Sequence, residues 1–586
     1  MAENVEIQQG PGPRREVMHA NPQIEKDREL IAASRQKGRG ALTWTFLRLS
    51  GPGWLQSGIT LGGVSFSSSL YLGVLVGFAF MWLQPLAMIL GIIMLGAIAY
   101  VTLSIRERPL KAISDHVSPV LAVSWLLASM AANLVWSMPQ FVLGTRALQQ
   151  NLSPNVLGAI PDPWGKIICV GFLLGICITV TMFYGAGGRG VKIFEIIIKI
   201  IVSMIVLSFL GVVVKLSFKG VIDWGAIFSG LIPRLRMLSE PADTVQEYIR
   251  VVAPQFQDFW TRHVVAQQRS VMIAATAAAV GINMTFLLPY SMLRKGWDKD
   301  FRGLAIFDLS TGLFIPFILA TGFVVIASAS QFHVKPAPGL LGELDEKGQV
   351  VVPAQNLVGP YNGLLKKRLE ADIGVDKVAA LSPAELERQT KALPEADRNL
   401  AAMLVKRDNM NLADALAPLT GDFWAQVVFG LGVMGMGISA ATVLMTINGL
   451  CLCELLNRPA RGWTQRIGAL MVSVGALAAI LWKQPAPWLA MPTSVFCIIL
   501  LPIAYFAFLL LMNQKVMLGD NMPRGGKRVL WNVLMIIATV IATLVAIWSL
   551  WSRIGSTWSI IVVGAFVALI LIVHFIRKSK GQTAAV

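Results

Sequence analysis

Charge is scarce in this sequence. Asp, Glu, Lys and Arg make up only 14% of its 586 residues, against about 25% in ordinary soluble proteins. That shortage argues against a cytosolic enzyme. Cysteine and histidine are rare too, with five of each. Cys169, Cys177, Cys451, Cys453 and Cys497 all fall inside apolar runs, so they read as buried thiols, neither a disulfide framework nor a metal cluster. His263 and His333 have no cysteine or paired carboxylate at ligand spacing and read as plain loop histidines. No nucleophile–base pair or metal motif is visible, so no enzyme activity and no cofactor is expected. The first apolar block starts near Gly51 and runs on too long for a signal peptide.

What the chain has in abundance is hydrophobicity, 55% of residues, gathered in blocks of the roughly 20 residues needed to cross a bilayer core as helix. The pattern predicts an all-α polytopic membrane protein with about twelve spans, near 51–76, 79–104, 119–148, 165–185, 190–215, 268–293, 303–330, 423–455, 463–483, 488–513, 529–552 and 557–577. The net charge of +17 sits between the blocks, where membrane topology explains it and nucleic acid is not needed. Arg106, Arg108 and Lys111, then Arg189 and Lys192, then Arg294, Lys295, Lys299 and Arg302 follow even-numbered spans. Arg458, Arg461, Arg466, Lys515, Arg524, Lys527, Arg528, Arg577, Lys578 and Lys580 continue the pattern. By the positive-inside rule both termini are expected in the cytoplasm, with the protein in a plasma or inner membrane.

The expected organisation is a cytoplasmic tail over 1–45, a first five-span repeat over 46–215 and an external loop over 216–267. Spans 6–7 of a second repeat occupy 268–330, an external helical insertion 331–421, spans 8–10 residues 422–515, and spans 11–12 with a cytoplasmic tail 516–586. Residues 1–40 are polar and read as a disordered or surface-lying tail. Thr244–Val252 is patterned for helix, Ser382-Pro383-Ala384-Glu385 reads as a capping box, and Leu393-Pro394-Glu395 as another helix start. Two or three short amphipathic helices are expected in the insertion.

Two spans carry helix-breaking residues. Span 1 contains Gly62-Gly63-Val64-Ser65 followed by Phe66-Ser67-Ser68-Ser69, and span 6 contains Gly281-Ile282-Asn283-Met284-Thr285 before Pro289-Tyr290-Ser291. Unwound backbone inside a bilayer is tolerated only against protein or a water-filled cavity. Breaks five spans apart, in equivalent positions of two halves, point to a secondary transporter with inverted repeats and a midplane site. The competing reading is close helix packing through small residues, which suits Ser67–Ser69 taken alone.

Gly51-Pro52-Gly53 opening span 1, then Leu70, Gly73, Gly77-Phe78 and Trp82, resembles the first span of the Nramp family of divalent-metal transporters. Gly190-Val191-Lys192-Ile193-Phe194-Glu195, Phe307-Asp308, Gly437-Ile438-Ser439-Ala440-Ala441-Thr442 with Glu454, Leu501-Pro502 and Asn513-Gln514-Lys515-Val516-Met517-Leu518-Gly519 extend the likeness over about 50–577, apart from the long external loops. The resemblance implies a LeuT-type fold, an inverted 5+5 repeat with helices 1 and 6 broken. It also exposes departures. Aligned on these motifs, the family's Asp-Pro-Gly-Asn falls on Gly62-Gly63-Val64-Ser65 and its Met-Pro-His on Asn283-Met284-Thr285. The acidic positions that the family associates with proton movement in span 3 read Ala131, Met138 and Phe141.

The expected substrate-binding residues are therefore Gly62, Gly63, Val64, Ser65, Asn283, Met284, Thr285 and Tyr290, with no metal ligand among them. Trp82, Trp125 and Trp136 lie nearby in sequence, though tryptophans in spans are more often packing residues. Hydroxyls, an amide and backbone carbonyls cannot compensate a bare dication in a medium of low dielectric. A small polar solute fits such a site better. A hydrated hard ion such as magnesium is the alternative, and a non-transporting receptor or scaffold displaying 331–421 the third reading. Proton coupling is expected to be absent, since spans 1, 3 and 6 have no acid at their centres. Asp308 and Glu454 lie near span ends, His574 ends span 12, and Glu195 and Lys199, one turn apart, read as a simple pair.

Overall fold

Prolines and glycines decide where the spans begin and break. The computed structural model describes residues 22–579 apart from 106, 187–188, 346 and 483–485. The first span is two helices, α1 (Pro52–Thr60) and α2 (Gly63–Val76), bent by 56°. α3 (Leu83–Ile105), α4 (Pro119–Arg146), α5 (Trp164–Ala186) and α6 (Arg189–Phe218) follow. The sixth span is also interrupted, between α7 (Pro254–Ala279) and α8 (Ile282–Lys295), and α9 (Ile315–Phe332) continues a helical stretch that starts at Lys299. Proline in the first turn of α1, α4 and α7 costs no hydrogen bond there and presets the helical φ.

The 331–421 segment is more helical than its sequence led us to expect. It folds as five helices, among them α10 (Gln355–Ile373), α11 (Glu395–Leu404) and α12 (Asn409–Thr420). The cap at Ser382 is half a box: its hydroxyl accepts from Glu385 N, but the Glu385 carboxylate turns to Arg388 and Gln389. Beneath this layer, α7 starts at Pro254, fourteen residues before the apolar block at 268. Those polar residues stay helical because the insertion packs on them: Trp260 Nε1 and Arg368 Nε both donate to Asp397, at 2.6 and 2.8 Å, and all three are buried. His333 is no idle loop residue either, bonding Thr244 and the Val74 carbonyl.

The chain is completed by α13 (Phe429–Leu455), α14 (Trp463–Leu481), α15 (Ala486–Met512) and α16 (Gly526–Ser579). The 54 residues of α16 would span about 80 Å if straight, far more than a bilayer core. Gly555 breaks it with φ 79°. Trp531 packs on Tyr100, Trp548 receives Arg269, and Arg577 comes back to the carbonyls of Ser114 and Asp115. α16 therefore crosses and returns, counting as two spans. With the ten long apolar stretches among the described residues, the bent first span as one more, and α16 as two, the total is twelve.

Both described ends of the chain lie at the face away from the insertion. Residues 1–21 of the expected tail lie outside the described residues. The rest of it is helix, Pro22–Lys37 and Arg39–Leu49, not disordered: Ile24, Ile31 and Phe46 are buried, Arg28 pairs with Asp298 and Asp300, and Phe46 packs on Phe307. At this face Glu195 does not pair with Lys199. It pairs with Lys295 at 2.9 Å, and Lys199 instead donates to the Ser50 carbonyl at 2.6 Å. A tertiary partner with better geometry overrides the one-turn spacing.

Candidate substrate site at the paired helix breaks

The first break is held by what glycine leaves out. α1 ends at Thr60, Leu61 caps it, and Gly62 is extended, at φ −127° and ψ −174°. A Cβ on Gly62 would stand 2.6 Å from Gln140 Oε1 and 2.9 Å from Ala440 Cβ; one on Gly63 would stand 2.8 Å from the Pro139 carbonyl oxygen. Without side chains there, α4 closes directly on the unwound backbone, and Gly63 N donates to Gln140 Oε1 at 2.5 Å. The Ser65 hydroxyl reaches back over the break to the Thr60 carbonyl. Val64 is buried beside it.

The second break comprises Val280 and Gly281, both extended, the latter at φ −96° and ψ 163°. The Gly281 N–H points at Met284 Sδ, 3.4 Å away. Asn283 Oδ1 accepts from Met284 N at 2.9 Å, while Asn283 Nδ2 is buried and has no partner in the protein. Thr285 Oγ1 donates to the Ile282 carbonyl and accepts from Trp125 Nε1 at 2.9 Å. One side chain ties the two breaks together: Gln56 Nε2 of α1 donates to the Met284 carbonyl at 3.3 Å.

Of the eight residues expected from sequence, seven cluster in this way. Tyr290 does not join them. It sits two turns further along α8, stacked on Phe286 at 4.6 Å and directed towards Glu454.

Three amide side chains complete the cluster that sequence reasoning missed. Asn133 and Gln140 flank Trp136 at helical spacing of three and four residues, which puts them on one face of α4. Trp136 comes within 3.4 Å of where a Gly281 Cβ would be. Both polar atoms of Asn133, Trp136 Nε1 and Gln56 Oε1 are buried without a partner in the protein. The available signal was a lone amide inside an apolar helix, a costly placement that by default marks function.

The site is thus rich in neutral donors and acceptors and poor in charge. Asp308 is spent elsewhere, accepting from Gly51 N and Gly53 N at 3.0 and 2.7 Å, and Gly53 is about 14 Å of helix from Gly62. Glu195 pairs with Lys295, and Glu454 with Arg108. Among the described residues no three of His, Cys, Asp and Glu converge closely enough to hold a metal ion.

The family model described as natural resistance-associated macrophage protein-like, or Nramp, matches residues 53–355 and 400–577. No curated protein sequence matches the chain. Among solved structures, a mutant of the Eremococcus coleocola manganese transporter superposes with TM-score 0.58 at 13% identity, covering 92% of this chain and 96% of that one. The same transporter in complex with an aromatic bis-isothiourea substituted compound gives 0.57 at 13% identity, over 91% and 94% of the two chains. At such identities the likeness speaks for the fold alone.

Proposed function

This chain belongs to the Nramp family, and from that premise we propose that it is a secondary-active transporter whose midplane site takes a substrate other than a dehydrated transition-metal ion. It is an integral membrane protein with the LeuT-type fold, and not an enzyme. The observation that carries the proposal is the neutrality of the two breaks. Gly62, Ser65, Asn283 and Thr285 stand where the resemblance places family motifs, and Gln56, Asn133 and Gln140 around them add amides, not carboxylates. A bare dication would have to shed its water against dipoles alone, at a cost of many kcal/mol. A small polar solute would instead find partners for its own donors and acceptors. Gln56 Oε1 and Asn133 Oδ1, buried and unpartnered, favour one second reading, a hard cation such as magnesium that keeps its hydration shell.

Calorimetry and reconstitution test this together. Manganese is expected to bind with a millimolar Kd or weaker, about −4 kcal/mol. In proteoliposomes an internal pH dye should stay flat while the solute accumulates, because no acid lies at the centres of spans 1, 3 and 6. Asn283→Leu, which removes an amide N–H with no partner in the protein, should leave folding nearly intact and weaken solute binding by about 1–3 kcal/mol. Ser65→Ala should weaken it as well, at some cost in stability because the hydroxyl also bonds the Thr60 carbonyl across the break. Micromolar manganese binding abolished by either substitution would overturn the proposal.

The orientation we propose puts both termini in the cytoplasm and residues 331–421 outside, following the basic loops. It is supported by the contacts of Arg28 with Asp298, after the sixth span, and of Arg577 with Ser114, after the second, whereas the insertion follows the seventh. Single cysteines at Ser382 and Ser579 are expected to label with an impermeant reagent from opposite sides of the membrane. Labelling of both from one side would sink the proposed orientation.

A further inference from the structure

A cavity of about 560 Å³, with charged and apolar residues in its wall, lies at the insertion face. Tyr71 of α2, His263 of α7, Lys367 of α10, Lys406 and Trp488 of α15 contribute to its wall, and among the described residues that line it there is no carboxylate. Tyr71 is six residues beyond Ser65, about 9 Å of helix, so the cavity neighbours the breaks without belonging to them.

Lys406 is the anomaly. It is only 7% exposed, yet among the described residues neither it nor Lys367 forms an ion pair. Its ammonium lies 4.0 Å from the Trp488 ring centroid, 5.2 Å from that of Tyr71 and 3.1 Å from Met491 Sδ. Burial, with the charges of Lys367 and Arg553, pulls its pKa down to about 8. The neighbouring cation is treated quite differently: Arg407, more deeply buried still, donates to the carbonyls of Met403, Val405, Lys335 and Ala402. Trp488 Nε1 adds a buried N–H without a partner. A buried charge left without a counter-charge is strongly disfavoured, and this one faces open volume beside a second lysine.

We propose that the cavity binds a small organic carboxylate, its carboxylate group held by Lys406 and Lys367 and its apolar part lying against Trp488. The size and partly apolar wall, with Pro360, Leu364 and Leu404, suit an organic anion better than a bare inorganic one. The inference is independent of which solute the helix breaks take.

The test is titration of the purified full-length protein with benzoate, succinate, inorganic phosphate and chloride at constant ionic strength, read by tryptophan fluorescence and calorimetry. At least one carboxylate should bind with a Kd of millimolar or tighter, and more tightly than phosphate or chloride. Lys406→Met should weaken it at least tenfold without lowering the melting temperature, since it removes an unpaired charge. Lys367→Gln, at an exposed position that does not endanger folding, should weaken it several-fold, and Ser65→Ala should leave it unchanged. Carboxylates binding no better than phosphate or chloride, or unaffected by both lysine substitutions, would overturn the proposal. So would a Ser65→Ala that weakens them as much, which would move the site to the breaks.

Discussion

Gly53→Ala is expected to unseat the start of the first span and cost about 3–5 kcal/mol. The added Cβ would stand 2.2 Å from the Asp308 carbonyl oxygen and 2.9 Å from its Oδ1, contacts that only a backbone shift can relieve. Overpacking alone costs about 1–3 kcal/mol. The shift would also break the bond from Gly53 N to the Asp308 carboxylate, 2.7 Å long, and a hydrogen bond to a charged group is worth about 1.5–3 kcal/mol. Gly96→Ala is the control, because its Cβ would meet only Trp531, at an ordinary 3.5 Å. It should leave stability unchanged or raise it by up to about 1 kcal/mol, since alanine is the better helix former. Melting curves of the two variants in detergent compare them directly. Equal midpoints would mean that the Asp308 cap does not hold α1.

Asp397→Ala should be nearly as damaging, and in a different place. Asp397 joins α11 to α10 through Arg368 and to α7 through Trp260. With the carboxylate gone, Arg368, 1% exposed, keeps its charge over the Phe256 ring, and its remaining acidic partner among the described residues is the exposed Asp372 at 3.5 Å. Breaking a buried pair from one side costs about 3–5 kcal/mol. The loss should appear first as faster proteolysis of residues 374–394, once the insertion lifts from α7. Glu385→Ala, which removes the exposed pair with Arg388, should leave the cleavage rate unchanged. If Asp397→Ala is cleaved no faster than the parent, the ion pair does not anchor the insertion.

Much of the membrane part was legible because glycine and proline act locally. Gly62-Gly63 and Gly281 broke their helices where the sequence indicated, since an apolar run with paired small residues has few other reasons to contain them. What was not legible depended on partners far away in sequence. Residues 254–267 look like loop until the insertion covers them, and Glu195 looks paired with Lys199 until Lys295 arrives from α8. The helices before Leu49 fold because Asp298 and Phe307 offer them a surface. At the candidate site the glycines and Asn283 could be read directly. Gln56, Asn133 and Gln140 could not, because one amide in an apolar helix gives no hint of which break it will face.

The bond between Gln140 and Gly63 also bears on time. If the first and sixth spans must rock against α4 to expose the breaks alternately, this short contact is among the first to part, and Gly62 and Gly63 leave no side chain to slide along in its place. Closure would then behave as a latch with two positions, not a graded hinge, and its lifetime would be governed by how readily water or solute offers Gly63 N another acceptor.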